Sequence, residues 1–301
     1  MYKRQIEVIN DGVFSHTGAD SIYFDRFGSY GGVGAHASKA SPYFNWFDFR
    51  SFPDDYRCWW NFRDLPEVNE EDASWQDYII RAKNSIVKLW LRRGASGWRL
   101  DVADELPDDV LALIREAAKA EKPDCAIIGE VWEDGTTKIA YSQRRKYLLG
   151  RETNGLMNYP FRTALMAYLL GGGAEYFRDS MEELRENYPA PAFYGAMNFL
   201  STHDTPRLLT ILGLTSPAPQ TRDERAVYQL SDSDLARGMS LLKLAALILY
   251  TFPGSPMLYY GDEAGMQGFE DPFNRGTYPW GRENAELVRY FQQLGALRNC
   301  L

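Results

Sequence analysis

Gly97-Trp98-Arg99-Leu100-Asp101-Val102-Ala103-Asp104-Glu105 starts as a short apolar-rich run, ends in acids, and is followed by Pro107. Residues 97–102 read as a strand. Beyond Pro107, Val110, Leu113, Ile114 and Ala117 recur at helical spacing, so a helix follows, with Pro107 in its first turn and Pro123 past its end. Asp104 and Glu105 are expected to cap that helix. The same alternation of short strand and longer amphipathic helix runs through most of the chain. Strands are expected at residues 5–9, 97–102, 126–131, 155–158, 198–202 and 256–260. Before the strand at 97, Trp75, Ile79, Ala82, Ile86 and Trp90 would share one helix face. Further helices are expected from Pro160 to Gly171-Gly172-Gly173, from about Asp234 to Pro253-Gly254, and from about Glu283 to Arg298.

Strands that alternate with helices imply a parallel sheet covered on both faces. No glycine-rich phosphate loop follows any strand, and candidate chemistry follows several different strands. Both features favour an α/β fold of the (β/α)8 TIM-barrel type over an open doubly wound sheet. A closed barrel of that type needs eight strands and six are read. Six parallel strands would leave two unpaired edges. Either strands escape the reading or the first two βα units are missing. Residues 17–74 break the rhythm, with stretches such as Ser41-Pro42-Tyr43-Phe44-Asn45-Trp46-Phe47. A structureless loop of that length is unusual in a compact domain, so 17–74 are read as a small inserted subdomain, with 1–16 and 75–301 as the barrel. Residues 214–233 read as a second polar loop.

The chain has 301 residues, 45% of them hydrophobic, which suffices for one large core. Its formal net charge of −8, without a run of Lys or Arg, argues against nucleic acid and anionic membrane surfaces. The longest apolar run, from Leu241 to Phe252, contains Lys243 and is too short to span a bilayer. No apolar signal core follows the N-terminal residues. Cys58, Cys125 and Cys300 suit neither disulfide pairs nor a metal site, so free thiols and a cytoplasmic location are expected. Aromatic residues make up 14% of the chain, with 8 Trp and 19 Tyr; they supply either a large core or platforms on which pyranose rings stack.

Residues two apart on a strand face the same way, so Arg99 and Asp101 point together at the strand's C-terminal end. The guanidinium favours an ionised Asp101, as a nucleophile requires; a purely structural Arg–Asp pair is the plainer alternative. In Ile127-Ile128-Gly129-Glu130-Val131-Trp132, Glu130 closes an apolar strand beside Trp132. Charge is costly there, which suits a general acid, unless a core Arg pairs with it. In Phe199-Leu200-Ser201-Thr202-His203-Asp204, an Asp and a His again end an apolar run. Together they could grip the hydroxyls of one sugar ring. Asp11-Gly12-Val13-Phe14-Ser15-His16 holds another of the chain's three histidines; Asp11 and His16 serve either such a site or their own loop backbone.

Together these four stretches resemble the conserved regions of the α-amylase superfamily, glycoside hydrolase family 13, over nearly the whole chain. The resemblance is closest to its cyclomaltodextrinase, neopullulanase and maltogenic amylase branch. Leu65-Pro66-Glu67-Val68-Asn69-Glu70 is similar to that branch's signature in the inserted subdomain, and Tyr259-Tyr260-Gly261-Asp262-Glu263 and Asp271-Pro272-Phe273-Asn274-Arg275 to its segment after the last strand. The resemblance implies Asp101 as nucleophile, Glu130 as acid/base and Asp204 as the third carboxylate, which orients the sugar. It implies Arg99 as the group holding the nucleophile, His16 and His203 as ligands of the ring being cleaved, and Asp11 as a support near His16. The implied reaction is retaining hydrolysis of α-1,4-linked glucans, cyclodextrins or maltooligosaccharides, and it needs no redox cofactor. Ser15 stands where the family has Asn before His16, and that Asn serves a calcium ion in some members, so the departure argues against calcium here. The family's barrel begins upstream of Asp11, and the chain stops near the eighth helix, before the family's C-terminal β domain, so the chain is expected to cover strands three to eight. A homodimer is implied for the full-length protein. The competing expectations are an inactive truncated fragment and a non-catalytic α-glucan-binding barrel; the latter would have lost a carboxylate, and all three are present.

Overall fold

The computed structural model describes residues 6–300. The chain divides into two compact units, one ending at Leu156 and the other beginning at Met157. In the first, the chain order is β1 (Ile9–Gly12), β2 (Phe49–Ser51), β3 (Asp55–Tyr56), α1 (Ala73–Gln76), α2 (Ile86–Arg92), β4 (Gly97–Leu100), α3 (Asp108–Glu121), β5 (Ala126–Gly129), β6 (Ile139–Ala140), β7 (Gln143–Arg144) and β8 (Gly155–Leu156). β1, β4, β5 and β8 form one sheet in that order, with every pairing parallel. All four residues of β4 are buried, as a central parallel strand requires. Gly97 sits opposite Ala126, and a Cβ at Gly97 would come within 2.2 Å of the Ala126 carbonyl oxygen. A side chain there would push the two strands apart.

The first expected strand is displaced. Gln5 lies outside the described residues, and β1 runs from Ile9 to Gly12, where the ladder with Gly97–Leu100 fixes its position. The expected helix face through Trp75 and Trp90 is also corrected. After α1 the backbone makes a π-turn over Asp77–Arg81, closed by a bond from the Ala82 N–H to the Asp77 carbonyl, and then breaks before α2. The wider turn inserts one extra residue per turn and rotates the apolar stripe. Trp75, Ile80, Val87 and Leu91 are buried, while Ala82 and Trp90 are exposed.

Residues 17–74 hold an aromatic centre of their own. Phe24 is fully buried and meets Phe47 and Tyr56 edge-on, with ring centroids 4.9 and 4.7 Å apart. β2 and β3 pair antiparallel beside it. The signature stretch ties this region back to the chain before it: His16 bridges Glu67, and the Val68 N–H donates to the Ser15 carbonyl.

The second unit contains α4 (Tyr159–Leu169), α5 (Ala174–Asn187), α6 (Ala190–Tyr194), β9 (Met197–Asn198), α7 (Leu208–Gly213), α8 (Arg222–Val227), α9 (Asp232–Thr251), β10 (Ser255–Pro256) and α10 (Ala285–Arg298). β9 and β10 pair parallel, and Met157 bridges Met197 in the same sense. Buried Asn198 holds this region together: it accepts from the Asn158 amide and donates to the Pro253 carbonyl, each at 2.8 Å. Residues 214–233 are not wholly loop. α8 forms there because Thr221 and Glu224 complete a reciprocal capping box. Among the described residues no helix is long and apolar enough to cross a membrane.

Candidate active site

The parallel register builds the site in the first unit. Asp11 on β1 is the register partner of Arg99 on β4, so their side chains rise from adjacent positions of neighbouring strands. Asp101 follows β4 and faces the same way as Arg99. Glu130 follows β5, and its N–H donates to the Leu100 carbonyl at 2.9 Å, which carries the ladder one step further. Three acids therefore meet one guanidinium. Arg99 Nη1 donates to Asp11 Oδ1 at 2.9 Å and to Asp101 Oδ1 at 2.5 Å, and Arg99 Nη2 lies 2.8 Å from Glu130 Oε2. Burial disfavours the Arg99 cation, but Glu130, Asp11 and Asp101 outweigh it and hold its pKa above the ordinary value.

Both plain alternatives, an Arg–Asp pair and a Glu paired with a core Arg, are present, and they involve the same arginine. That sharing is what brings Asp101 and Glu130 together. Glu130 is only 3% exposed, as its apolar strand suggested. Its burial is compensated by donors. The Val102 N–H reaches Oε2 at 2.9 Å and the Trp132 indole reaches Oε1 at 3.1 Å. Val102 has a left-handed backbone (φ 38°), an uncommon state for a β-branched residue. This turn directs its N–H toward Glu130 immediately after the Asp101 strand ends. Strained backbone of this kind gathers at functional sites.

His16 accepts from or donates to Ser15 Oγ through Nδ1 at 2.9 Å and stacks on Trp59 at 5.2 Å between centroids. Burial pushes its pKa below the ordinary value, against the pull of Asp101 and Glu67. Asp11 is placed on Arg99 as well as near this loop, so it belongs to the charged cluster. Asp104 and Glu105 do not cap α3. Pro107 precedes that helix without a side-chain cap, Asp104 pairs with Lys138 at 3.1 Å, and Glu105 accepts from two indoles.

His203 and Asp204 lie in the second unit. His203 Nε2 is 3.3 Å from Asp204 Oδ2, and Arg275 Nη2 is 3.9 Å from Asp204 Oδ1. The motifs at residues 259–263 and 271–275 support the segment that carries Asp204. The Asn274 amide donates to the carbonyls of His203 (2.7 Å) and Thr205 (2.9 Å), fixing the loop that carries Asp204. Asp262 accepts from Ser201 and lies 3.4 Å from fully buried Arg207, whose guanidinium lies 4.2 and 4.6 Å from the ring centroids of Tyr259 and Tyr260. Among the described residues no group of three or more His, Cys, Asp or Glu side chains is arranged to hold a metal ion.

Parallel βα units with acids gathered at strand ends define an α/β barrel protein. The family profile described as alpha amylase, catalytic domain, matches residues 1–296, and the chain belongs to this family. It is 38% identical over 332 residues to the amylopullulanase of Thermoanaerobacter thermohydrosulfuricus, covering 99% of this chain and 21% of that protein. It is 32% identical to the cyclomaltodextrinase of Geobacillus thermopakistaniensis (strain MAS1), covering 99% of this chain and 45% of that one. Among solved structures, the cyclic alpha-maltosyl-(1→6)-maltose hydrolase of Arthrobacter globiformis in complex with maltose matches with a TM-score of 0.80 at 25% identity, over 99% of this chain and 61% of that chain. The barrel type read from the strand–helix rhythm and the α-amylase family read from the four motifs therefore hold. The branch suggested by residues 65–70 is represented among the relatives, and the sequence reading did not name amylopullulanases. The chain spans between about a fifth and under half of the length of these curated relatives.

Proposed function

We propose that this chain carries the hydrolytic site of a retaining α-glucosidic enzyme acting on α-1,4-linked glucans, cyclodextrins or maltooligosaccharides. The observation that supports it most is the sharing of Arg99 by Asp101 and Glu130 at the ends of adjacent strands. One planar guanidinium draws both carboxyl groups to its edge, and retaining hydrolysis needs such a pair roughly 5–5.5 Å apart. Asp101 attacks the anomeric carbon and forms a glycosyl ester while the bond to the leaving oxygen breaks. Glu130 gives that oxygen a proton. Its Oε2 accepts from Arg99 and Val102 and its Oε1 from the Trp132 indole; Oε1, the oxygen on the indole side, is the one assigned to proton transfer. In the second half-reaction Glu130 takes a proton from water, water opens the ester, and the α-configured sugar leaves. Asp204 is assigned the sugar-orienting carboxylate, and His16 and His203 the hydroxyl contacts. A His16 kept neutral by burial can serve as donor or acceptor to a hydroxyl.

The names of the relatives support an α-glucan substrate, linear or cyclic, and the reaction requires no redox cofactor. Residues 17–74 as an inserted subdomain, a calcium ion disfavoured by Ser15, and a homodimer of the full-length protein belong to the same reading. Three unpaired thiols at Cys58, Cys125 and Cys300 support a reducing compartment. The test is release of glucose or maltose from maltooligosaccharides by the wild type and by Asp101→Asn. Hydrolysis lost in the variant is expected. Hydrolysis that persists in the variant would overturn the assignment; glucan binding without turnover in the wild type would replace it with a binding barrel, unless adding the N-terminal segment restores turnover, which would identify an inactive truncated fragment.

A further inference from the structure

The turn that follows β4 is gripped by one hairpin. β6 and β7 pair antiparallel, Ile139 with Arg144 and Ala140 with Gln143, so Tyr141 and Ser142 alone make the reversal. Both have left-handed backbone, with φ of 51° and 60°. A two-residue reversal of this hand ordinarily takes Asn and Gly, and a Tyr-Ser pair adopts it against strain. Arg145 follows the hairpin directly. Its side chain is fully buried, and its guanidinium lies 4.7 Å from the Tyr147 ring centroid.

The carbonyls of residues 103–106 all accept from this hairpin and from Arg145. Arg145 Nη1 donates to the Asp104 carbonyl at 3.1 Å, and Nη2 to that of Leu106 at 2.5 Å and, more distantly, to that of Ala103 at 3.5 Å. The Tyr141 hydroxyl donates to the Glu105 carbonyl between them. The turn's own closure is long, with the Leu106 N–H 3.4 Å from the Ala103 carbonyl. Arg145 Nε lies 2.5 Å from Asp108 Oδ1, which supplies the opposite charge that a buried cation needs. Charge balance asks for that pair alone. Donors spent on backbone carbonyls point to a second task. Val102 stands just before these residues, and its left-handed N–H reaches Glu130 Oε2 at 2.9 Å. Asp101 is held separately, its N–H donating to the Gly12 carbonyl at 3.1 Å. A loosened turn is therefore felt by Glu130 before Asp101.

We propose that Arg145 is a positioning residue: with Tyr141 it clamps the carbonyls of residues 103–106 and so holds Val102 in the left-handed state that aims its N–H at Glu130. This rests on the assignment of proton transfer to Glu130. Arg145 acts on that transfer through the backbone, without touching the reacting atoms.

The experiment compares Arg145→Lys and Asp108→Asn with the wild type on a maltooligosaccharide and on an aryl maltoside with an activated leaving group. A lysine keeps the charge for Asp108 but brings a single nitrogen in place of the guanidinium fork. In Arg145→Lys, kcat/KM on the maltooligosaccharide is expected to fall roughly 10- to 100-fold, the size of a small misplacement near the chemistry, through kcat more than KM. The fall on the aryl maltoside is much smaller, because its leaving group needs little protonation. Asp108→Asn breaks the ion pair and leaves the carbonyl donors, so its ratio of the two rates stays that of the wild type. Equal losses on both substrates in Arg145→Lys, or a ratio in Asp108→Asn shifted as far as in the lysine variant, would overturn the proposal. Hydrogen–deuterium exchange with peptide mass analysis reads the clamp independently of activity. Residues 101–107 are expected to exchange about tenfold faster in Arg145→Lys, the equivalent of one lost hydrogen bond to a charged group. Unchanged exchange there, or an equal rise over β1 and α3, rejects the clamp. If the wild type hydrolyses neither substrate, the catalytic assignment fails separately, and the exchange measurement decides the clamp.

Discussion

Replacing Arg99 by Lys tests the arrangement on which the site depends. Arg99 Nη1 serves Asp11 and Asp101 while Nη2 serves Glu130. A lysine keeps the positive charge but brings one nitrogen, so it cannot hold both Asp101 and Glu130 in the geometry of a fork. Asp11 is half-exposed at 54% and loses little, since water replaces its partner. Glu130 is 4% exposed at its side chain and loses most. A lost hydrogen bond to a buried charged group costs about 1.5–3 kcal/mol, so Arg99→Lys should lower unfolding free energy by about that amount. If the same misplacement is felt in the transition state, kcat/KM falls roughly 10- to 150-fold. Arg99→Met, which leaves the acids facing one another without a cation, should cost more, about 3–5 kcal/mol. Urea denaturation gives the stability change, and initial rates on a maltooligosaccharide give the activity change. A lysine variant as stable and as active as the wild type would refute the shared-guanidinium account.

Two further outcomes are expected. Glu130→Gln should lose about 10²- to 10⁴-fold in rate on maltooligosaccharides but far less on an aryl glycoside with an activated leaving group, which needs little protonation; equal losses on both would count against the acid role. Asp262 is raised from 3.8 to about 6 by burial, opposed by Ser201 and Arg207. Because the folded state holds that proton more tightly, its contribution to stability falls as pH rises from about 4 to 6. Urea denaturation across that range should show wild-type stability relative to Asp262→Asn declining by about 2–3 kcal/mol, and a difference independent of pH would contradict it.

The rhythm of the fold was legible because buried parallel strands are apolar runs and their helices carry a 3.6-residue stripe. The strands expected at 97, 126 and 155 appear, shortened to the residues that complete ladders, while the other three are displaced, to Ile9–Gly12, Met197–Asn198 and Ser255–Pro256, each overlapping its expected range at one residue. The pairing of Arg99 with Asp101 followed from the two-residue period of a strand. What period could not supply was a change of period. The π-turn at Asp77–Arg81 rotates the stripe by an extra residue, and nothing in the order of apolar residues announces it. Contacts remote in sequence were equally hidden. Glu105 reads as a helix cap by its position before Pro107, yet its carboxylate is drawn to Trp59 and Trp60 more than forty residues earlier. Glu130 was legible as a buried acid, but its arginine partner and the left-handed turn at Val102 required the register of β4 against β5. The supports of the Asp204 loop, Asn274 above all, work through carbonyls that any residue would offer, so no side-chain pattern points to them.

Asp101 is assigned as the nucleophile of a covalent glycosyl-enzyme, with Glu130 delivering and recovering the proton. A fluorinated glycosyl fluoride, which forms that ester faster than water opens it, followed by peptide mass mapping, tests this most directly. The account predicts one added sugar on the peptide holding Asp101, absent in Asp101→Asn. A label on another acid, or turnover that releases inverted sugar with no labelled peptide, would contradict it.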